Sequence, residues 1–167
     1  MNVDGLARKI GERVPDVLVA RGEVTAVVER ERLLETLAWL RDQPDVALDF
    51  LSSVTATHWP DVDPAFWVDY ELRSFPHKHR ARVKVGLDAG DAHLSSVTPL
   101  FPTADWHERE TFDFFGIVFD GHPALTRIMM PDDWQGHPQR KDYPLGGIPV
   151  EYKGAQIPAP DQRRSYS

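Results

Sequence analysis

Two stretches of strict alternation mark the middle of the chain. Phe66, Val68, Tyr70 and Leu72 alternate with Trp67, Asp69, Glu71 and Arg73, and Ala81, Val83, Val85 and Leu87 alternate with Arg80, Arg82 and Lys84. A period of two belongs to a half-buried strand. A Pro76-His-Lys-His79 turn separates the runs, so they predict an antiparallel hairpin whose acidic and basic rows face each other. Upstream, Leu48 to Thr57 reads as a strand, and Val17-Leu-Val19 and Val24-Thr-Ala-Val-Val28 flank Arg21-Gly22-Glu23 as a second hairpin. Leu33, Leu37 and Leu40 recur at helical spacing between Glu31 and Asp42, with Pro44 ending the run. A short helix capped by Asp4 is expected to bury Leu6, Ile10 and Val14 and to stop at Pro15. Together these elements predict an α+β fold, a mostly antiparallel sheet with helices packed on one face. Residues 1–145 read as a single domain. Residues 146–167, rich in Gly and Pro and without apolar periodicity, read as an extended C-terminal arm expected to wrap a neighbouring subunit.

The stretch from Thr103 to Gly116 breaks the ordinary amphipathic pattern. Thr103 is placed to cap a helix, Asp105 to sit in its first turn and Gly116 to end it, which gives about three turns. Around this helix Trp106, Phe112, Phe114 and Phe115 spread over most of the circumference, with Glu108, Glu110 and Asp113 between them. A helix of that kind is expected to be buried nearly all round. Its carboxylates then need partners, because deleting one member of a buried ion pair costs about 3–5 kcal/mol. Arg109 lies four residues from both Asp105 and Asp113, and Arg127, Arg140 and Lys141 are candidates to fold back onto Glu108 and Glu110. The region reads as a rigid docking wedge.

Composition narrows the chemistry. The 167 residues, 41% hydrophobic and 27% charged, suffice for a proper core. A net charge of −7 disfavours a general nucleic-acid binder. The absence of cysteine excludes disulfides, thiolate zinc sites, Cys nucleophiles and Cys-ligated iron–sulfur clusters held by this chain. No apolar run approaches the roughly 20 residues that span a bilayer, and no signal-peptide core is seen, so the chain is expected to be soluble and intracellular by itself. Glu108 and Glu110 do not make a hydrolytic pair, since residues two apart on a helix point about 200° apart. His107-Glu108 lacks the second histidine of a zincin, position 111 being Thr. His122, His137, Asp132 and Asp133 could form a mixed metal site, but both histidines precede proline in turns and the spacing is sparse. The glycines form no dinucleotide or P-loop motif. Trp134, Tyr143 and Phe115 could stack on a flavin or quinone, although aromatics beside prolines more often anchor interfaces. No catalytic, cofactor-binding or metal-binding residue is assigned.

Three linked motifs carry a more specific signal: Trp106-x-Glu-Arg-Glu-x-x-Asp-x-Phe-Gly-Ile117, Phe119-x-Gly-His-Pro-x-Leu-x-Arg127, and Met130-Pro-Asp-Asp-Trp-x-Gly-His-Pro-x-Arg-Lys-Asp-Tyr-Pro-Leu145. Together they resemble the C subunit of the respiratory NADH:quinone oxidoreductase, bacterial complex I. Phe112, Phe114 and Gln139 are mild departures from residues common in that family. The resemblance implies a peripheral-arm subunit on the cytoplasmic side of the cell membrane, touching the membrane only through the complex. It implies no redox cofactor in this chain, with FMN and the iron–sulfur clusters in partner subunits. It also implies packing against the D subunit, which carries the quinone site, and near the B and I subunits. The interface residues expected on this basis are Trp106, Glu108, Arg109, Glu110, Asp113, Phe115, Gly116, Arg127, Asp132, Trp134, His137, Arg140, Lys141, Asp142 and Tyr143. The alternatives are the equivalent subunit of a related membrane-bound hydrogenase or deazaflavin-dependent dehydrogenase, and a stand-alone hydrolase working through Glu108 or Glu110.

Overall fold

The two alternating runs form adjacent antiparallel strands, β4 (Phe66–Ser74) and β5 (His79–Leu87), with Tyr70 opposite Val83. The facing charge rows meet as expected: Lys84 Nζ lies 3.2 Å from Asp69, and Arg82 pairs with Glu71. On the other side of β4 runs β3 (Phe50–His58), antiparallel and bulged between Leu51 and Ser53. This strand starts two residues later than the sequence suggests, because Ala47 takes a left-handed turn (φ 42°) ahead of it. The first hairpin is β1 (Asp16–Ala20) and β2 (Glu23–Val27). Arg21 and Gly22 both have positive φ, 53° and 77°, the geometry of a two-residue hairpin turn. β2 joins β5 in parallel, giving the strand order β1-β2-β5-β4-β3. The sheet is thus mostly antiparallel, with one parallel pairing inside it.

One face of this sheet carries Val24, Ala26, Val54, Phe66, Val68, Tyr70, Val83 and Val85, all buried. The apolar residues of the helices join the same core cluster. Helix α1 (Val3–Gly11) contributes Leu6 and Ile10, and α2 (Leu33–Asp42) contributes Leu33, Leu37 and Leu40. The cap of α1 is Asn2, whose Oδ1 takes the Gly5 N–H at 2.9 Å; Asp4 lies two residues further in, in the first turn. A short 3-10 turn at Arg30–Arg32 leads into α2. Beyond β5 come β6 (His93–Ser95), α3 (Ala104–Phe115) and β7 (Val118–Asp120), with β6 and β7 parallel to each other.

The computed structural model describes residues 2–144, residue 146, Val150–Tyr152 and Ala155–Ile157. Within the expected arm, β8 (Val150–Tyr152) and β9 (Ala155–Ile157) form an antiparallel ladder rather than a single extended run. Apart from residue 146, the remainder of the arm lies outside the described residues. Among the described residues no helix is long and apolar enough to cross a membrane.

Candidate docking interface

Helix α3 starts where the Ala104 and Asp105 N–H groups reach the carbonyls of Phe101 and Pro102, at 2.9 and 3.3 Å. Thr103 makes no side-chain cap, because it already lies in the helical region of the backbone. Gly116, with φ 76°, closes the helix, and its N–H donates to Phe112 O at 2.8 Å. The stripe buried toward β3 is Ala104, Glu108, Thr111 and Phe115, a spacing of four, three and four. This corrects the expectation of a helix buried all round, since Trp106 is 61% exposed and Phe112 and Phe114 are half-buried. Polar groups can occupy the inner stripe because each has a fixed partner there. Thr111 Oγ1, for example, donates to the Val54 carbonyl at 3.4 Å.

Glu108 is fully buried. Ser96 Oγ donates to its Oε2 and the Val97 N–H to its Oε1, both at 2.7 Å. Burial pushes its pKa up to about 7, against the lowering effect of those two bonds and with some repulsion from Asp105. The His122 ring is buried beside it. Its Nδ1 accepts the Ala124 N–H at 3.0 Å, so Nε2 carries the hydrogen and donates to the Asp105 main-chain oxygen at 3.2 Å. The Asp105 and Glu108 carboxylates lie 3.3 and 4.0 Å from that nitrogen. The Tyr70 hydroxyl, without a hydrogen-bond partner among the described residues, is held well above its usual pKa by burial and by the charge of Glu108.

Asp113 is equally buried but differently served. Arg127 Nη1 donates to Oδ1 at 2.6 Å, and the N–H groups of Ile128, Met129 and Met130 converge on Oδ2 at 3.1, 2.8 and 2.9 Å. Burial alone would raise its pKa; the backbone N–H groups and Arg127 outweigh it and hold the carboxyl below its usual range. This nest replaces the expected pairing with Arg109. Arg109 instead donates to Thr126 O and Oγ1, at 3.2 and 3.0 Å, and to Arg127 O at 3.2 Å, while lying 5.2 Å over the Trp106 ring. Nor do the downstream cations reach Glu108 or Glu110. Arg127 serves Asp113, Arg140 pairs with Asp142 at 2.7 Å, and Lys141 donates its main-chain N–H to His58 Nδ1 at 3.0 Å. Glu110 has no ion pair among the described residues.

The loop after Arg127 is stitched to the end of α3. His137 Nδ1 donates to Asp113 O at 2.9 Å, and the Gln139 N–H donates to Phe114 O at 3.1 Å. The His137 ring lies so close to Gly116 that a Cβ there would be 2.6 Å from Cδ2. Arg127 Nη2 holds Gly136 O at 3.0 Å, and the Tyr143 hydroxyl donates to Gln135 O at 3.2 Å. His122 and His137 are thus both engaged with backbone carbonyls. Among the described residues no group of three or more His, Cys, Asp or Glu is placed to hold a metal ion. Asp132 is exposed, and Trp134 is half-buried.

Between this loop and the end of β3 lies a cleft of about 540 Å³, lined by His58, Trp59, Phe115, Gln139 and Arg140 among others. His58 stacks on Phe66 with ring centroids 4.4 Å apart, and desolvation lowers its pKa. Arg140 lies 5.2 Å over the same Phe66 ring. Trp59 and Met129 are exposed. The sequence reading missed His58, Trp59, Ser96 and Val97. The available signals were His58-Trp59-Pro60 ending a strand and the Ser96-x-Thr98 hydroxyls just ahead of an acidic helix. The site uses its charges to fix backbone and leaves aromatic and thioether side chains outward, the makeup of an interface.

Known proteins share both the sequence and the fold. The NADH-quinone oxidoreductase C subunit of Streptomyces coelicolor is 58% identical over 155 residues, covering 92% of this chain and 62% of the relative. The C subunit of a Nocardioides species is 52% identical over 170 residues, covering 98% of this chain and 68% of the relative. The chain therefore spans about two thirds of the length of these relatives. Among solved structures, the trypsin-resistant fragment (1–134) of Nqo5 superposes with a TM-score of 0.65 at 31% identity, covering 75% of this chain and all of the fragment. One component of the membrane-bound sulfane sulfur reductase, an archaeal respiratory membrane complex, shares the fold at a TM-score of 0.72 and 24% identity, over 85% of each chain. The family model described as respiratory-chain NADH dehydrogenase, 30 Kd subunit, matches residues 26–149, which hold β3, β4, β5 and the wedge, and the chain belongs to that family.

Proposed function

We propose that this chain is the non-redox scaffold subunit in the peripheral arm of a proton-translocating NADH:quinone oxidoreductase. It docks the D subunit, which carries the quinone site, and the nearby iron–sulfur B and I subunits, on the cytoplasmic side of the cell membrane. It meets the membrane only through the complex. FMN and the clusters reside in partner subunits; for the clusters, the absence of cysteine ligands from this chain supports the reading. The observation that carries the proposal is the Asp113 nest. It locks helix α3 to the 127–130 segment and holds the half of the chain richest in family motifs in one shape. A surface fixed before contact loses little conformational entropy on docking.

The test is to tag this chain in its native host, solubilise the membranes gently and purify. Recovery of a large assembly with NADH:quinone reductase activity, flavin and iron–sulfur spectra is the expected result. A chain that returns alone and colourless, under conditions that keep the oxidoreductase intact, would overturn the proposal. So would an assembly that takes electrons from a different donor module.

A further inference from the structure

The wedge helix packs along β3, and the first cleft lies where the wedge's loop meets the His58 end of that strand. At the other end, where β4 turns into β5, a second cleft of about 540 Å³ opens between the strand ends and the start of α1. Phe66 and Ser74 mark the two ends of β4, so its nine residues separate the two clefts by roughly 27 Å. The second cleft is floored by Val3 and Leu6 and rimmed by Arg73, Phe75, Lys78 and Arg80. Among the described residues no carboxylate lines it. Neither the exposed Asp4 of α1 nor the half-buried Glu23 lines it, and Glu23 is paired with Arg80 at 2.5 Å.

Three features set this end apart. Arg73 and Arg80 are direct cross-strand partners, a like-charge placement in which Glu23 offsets Arg80 and leaves Arg73 as the uncompensated member. Arg73 has no ion pair among the described residues. Lys78 sits at φ 52°, a backbone region side chains rarely adopt, in a turn where Ser74 Oγ accepts the His77 N–H at 3.2 Å. On the rim, Phe75 is 67% exposed and meets the exposed Phe50, which lies beyond it, edge to face with ring centroids 5.1 Å apart. The apolar surface thus runs past the mouth of the cleft, farther than a small ligand seated in it would cover. Arginine beside exposed aromatics is the composition of a protein interface core.

We infer that this basic, aromatic-edged cleft docks an acidic polypeptide segment of another protein, with its carboxylates on Arg73 and Lys78 and an apolar side chain against Phe75. In a chain of net charge −7 such a segment is repelled by most of the surface and attracted here. The inference goes beyond the scaffold role and does not rest on it, because this cleft lies at the opposite end of β4 from the cleft beside the wedge's loop.

The test uses the full chain and a fluorescein-labelled dodecapeptide that alternates Asp or Glu with Leu or Phe, followed by fluorescence anisotropy at low ionic strength. Saturable binding that weakens with added salt is expected. The double variant Arg73→Gln/Lys78→Gln and the single variant Phe75→Ala are each expected to weaken binding roughly tenfold. Arg8→Gln, a single charge removed from the exposed side of α1, is expected to leave it unchanged. All four positions are exposed, and matching circular dichroism melts establish that the variants fold. Lack of saturable binding, or equal binding by the double variant, overturns the inference. Displacement of the peptide by tripolyphosphate, with Phe75→Ala as tight as the parent chain, also overturns it and marks a plain anion site.

Discussion

Glu108 and Asp113 lie on the same helix, both sealed from solvent, and their surroundings drive them in opposite directions. Glu108 has one hydroxyl and one N–H against the full cost of burial, so the folded chain keeps its proton up to about pH 7. The unfolded chain releases that proton near the ordinary glutamate value. The folded state therefore binds more protons between those limits, and this group's contribution is fully present in acid and lost as pH rises, by about 3 kcal/mol between pH 4.5 and 7. Glu108→Gln keeps the shape and lacks the ionisation. Urea denaturation at about pH 5 and about pH 8, either side of most of that window, should show a smaller loss of stability for the variant than for the parent chain. Asp113 has the reverse sign: its contribution is present above the ordinary aspartate value and is lost as pH falls through its depressed folded value. Asp113→Asn at neutral pH leaves Arg127 facing a neutral partner and should lower the unfolding free energy by about 3 kcal/mol, measured by denaturant titration. The sequence identifies both as carboxylates in need of partners. It does not identify the partners, because a helical wheel compares residues of one helix, whereas Ser96, Val97 and residues 128–130 come from elsewhere and act largely through backbone N–H groups that carry no side-chain signature.

At the scale of elements, the hairpins were legible because a period of two and a two-residue turn are local facts, and the turn at Arg21-Gly22 has the backbone they demand. The position of Gly116 was also legible. What the wheel of α3 misjudged was how much of the helix is buried, since aromatics spread round the circumference do not tell which of them face solvent: Trp106 is exposed and Phe112 and Phe114 are half-buried, while Glu108 and Thr111 lie in the sealed stripe. Gly116 then does two jobs, ending the helix in the left-handed region and leaving room for the His137 ring. Gly116→Ala should cost about 1–3 kcal/mol, from backbone strain plus the displaced ring. Amide exchange of Gln139, whose N–H bonds to Phe114 O, should accelerate as the loop loosens.

For the molecule as a whole, the proposed function separates holding the shape from presenting it. Trp106 is exposed, with the Arg109 guanidinium over its ring, so Trp106→Ala should change the stability of the free chain by no more than about 0.5 kcal/mol. If the wedge docks as proposed, the same change should weaken incorporation into the purified assembly roughly tenfold, read from the yield of tagged complex. The α+β class was readable from the order of periodic segments, but the strand order was not, because an alternating pattern says that a strand is half-buried and not which neighbour it takes. The parallel pairing of β2 with β5 is the case in point. Val27 lies beside Lys84, which follows it 57 positions later in the chain. The β3-β4-β5 meander closes through short turns, whereas β2 must wait for the strand it pairs with. At about 5–20 residues per second of synthesis, that wait is roughly 3–11 seconds on the ribosome. During it the first hairpin has an unpaired edge, and it is the segment a nascent-chain chaperone would be expected to hold.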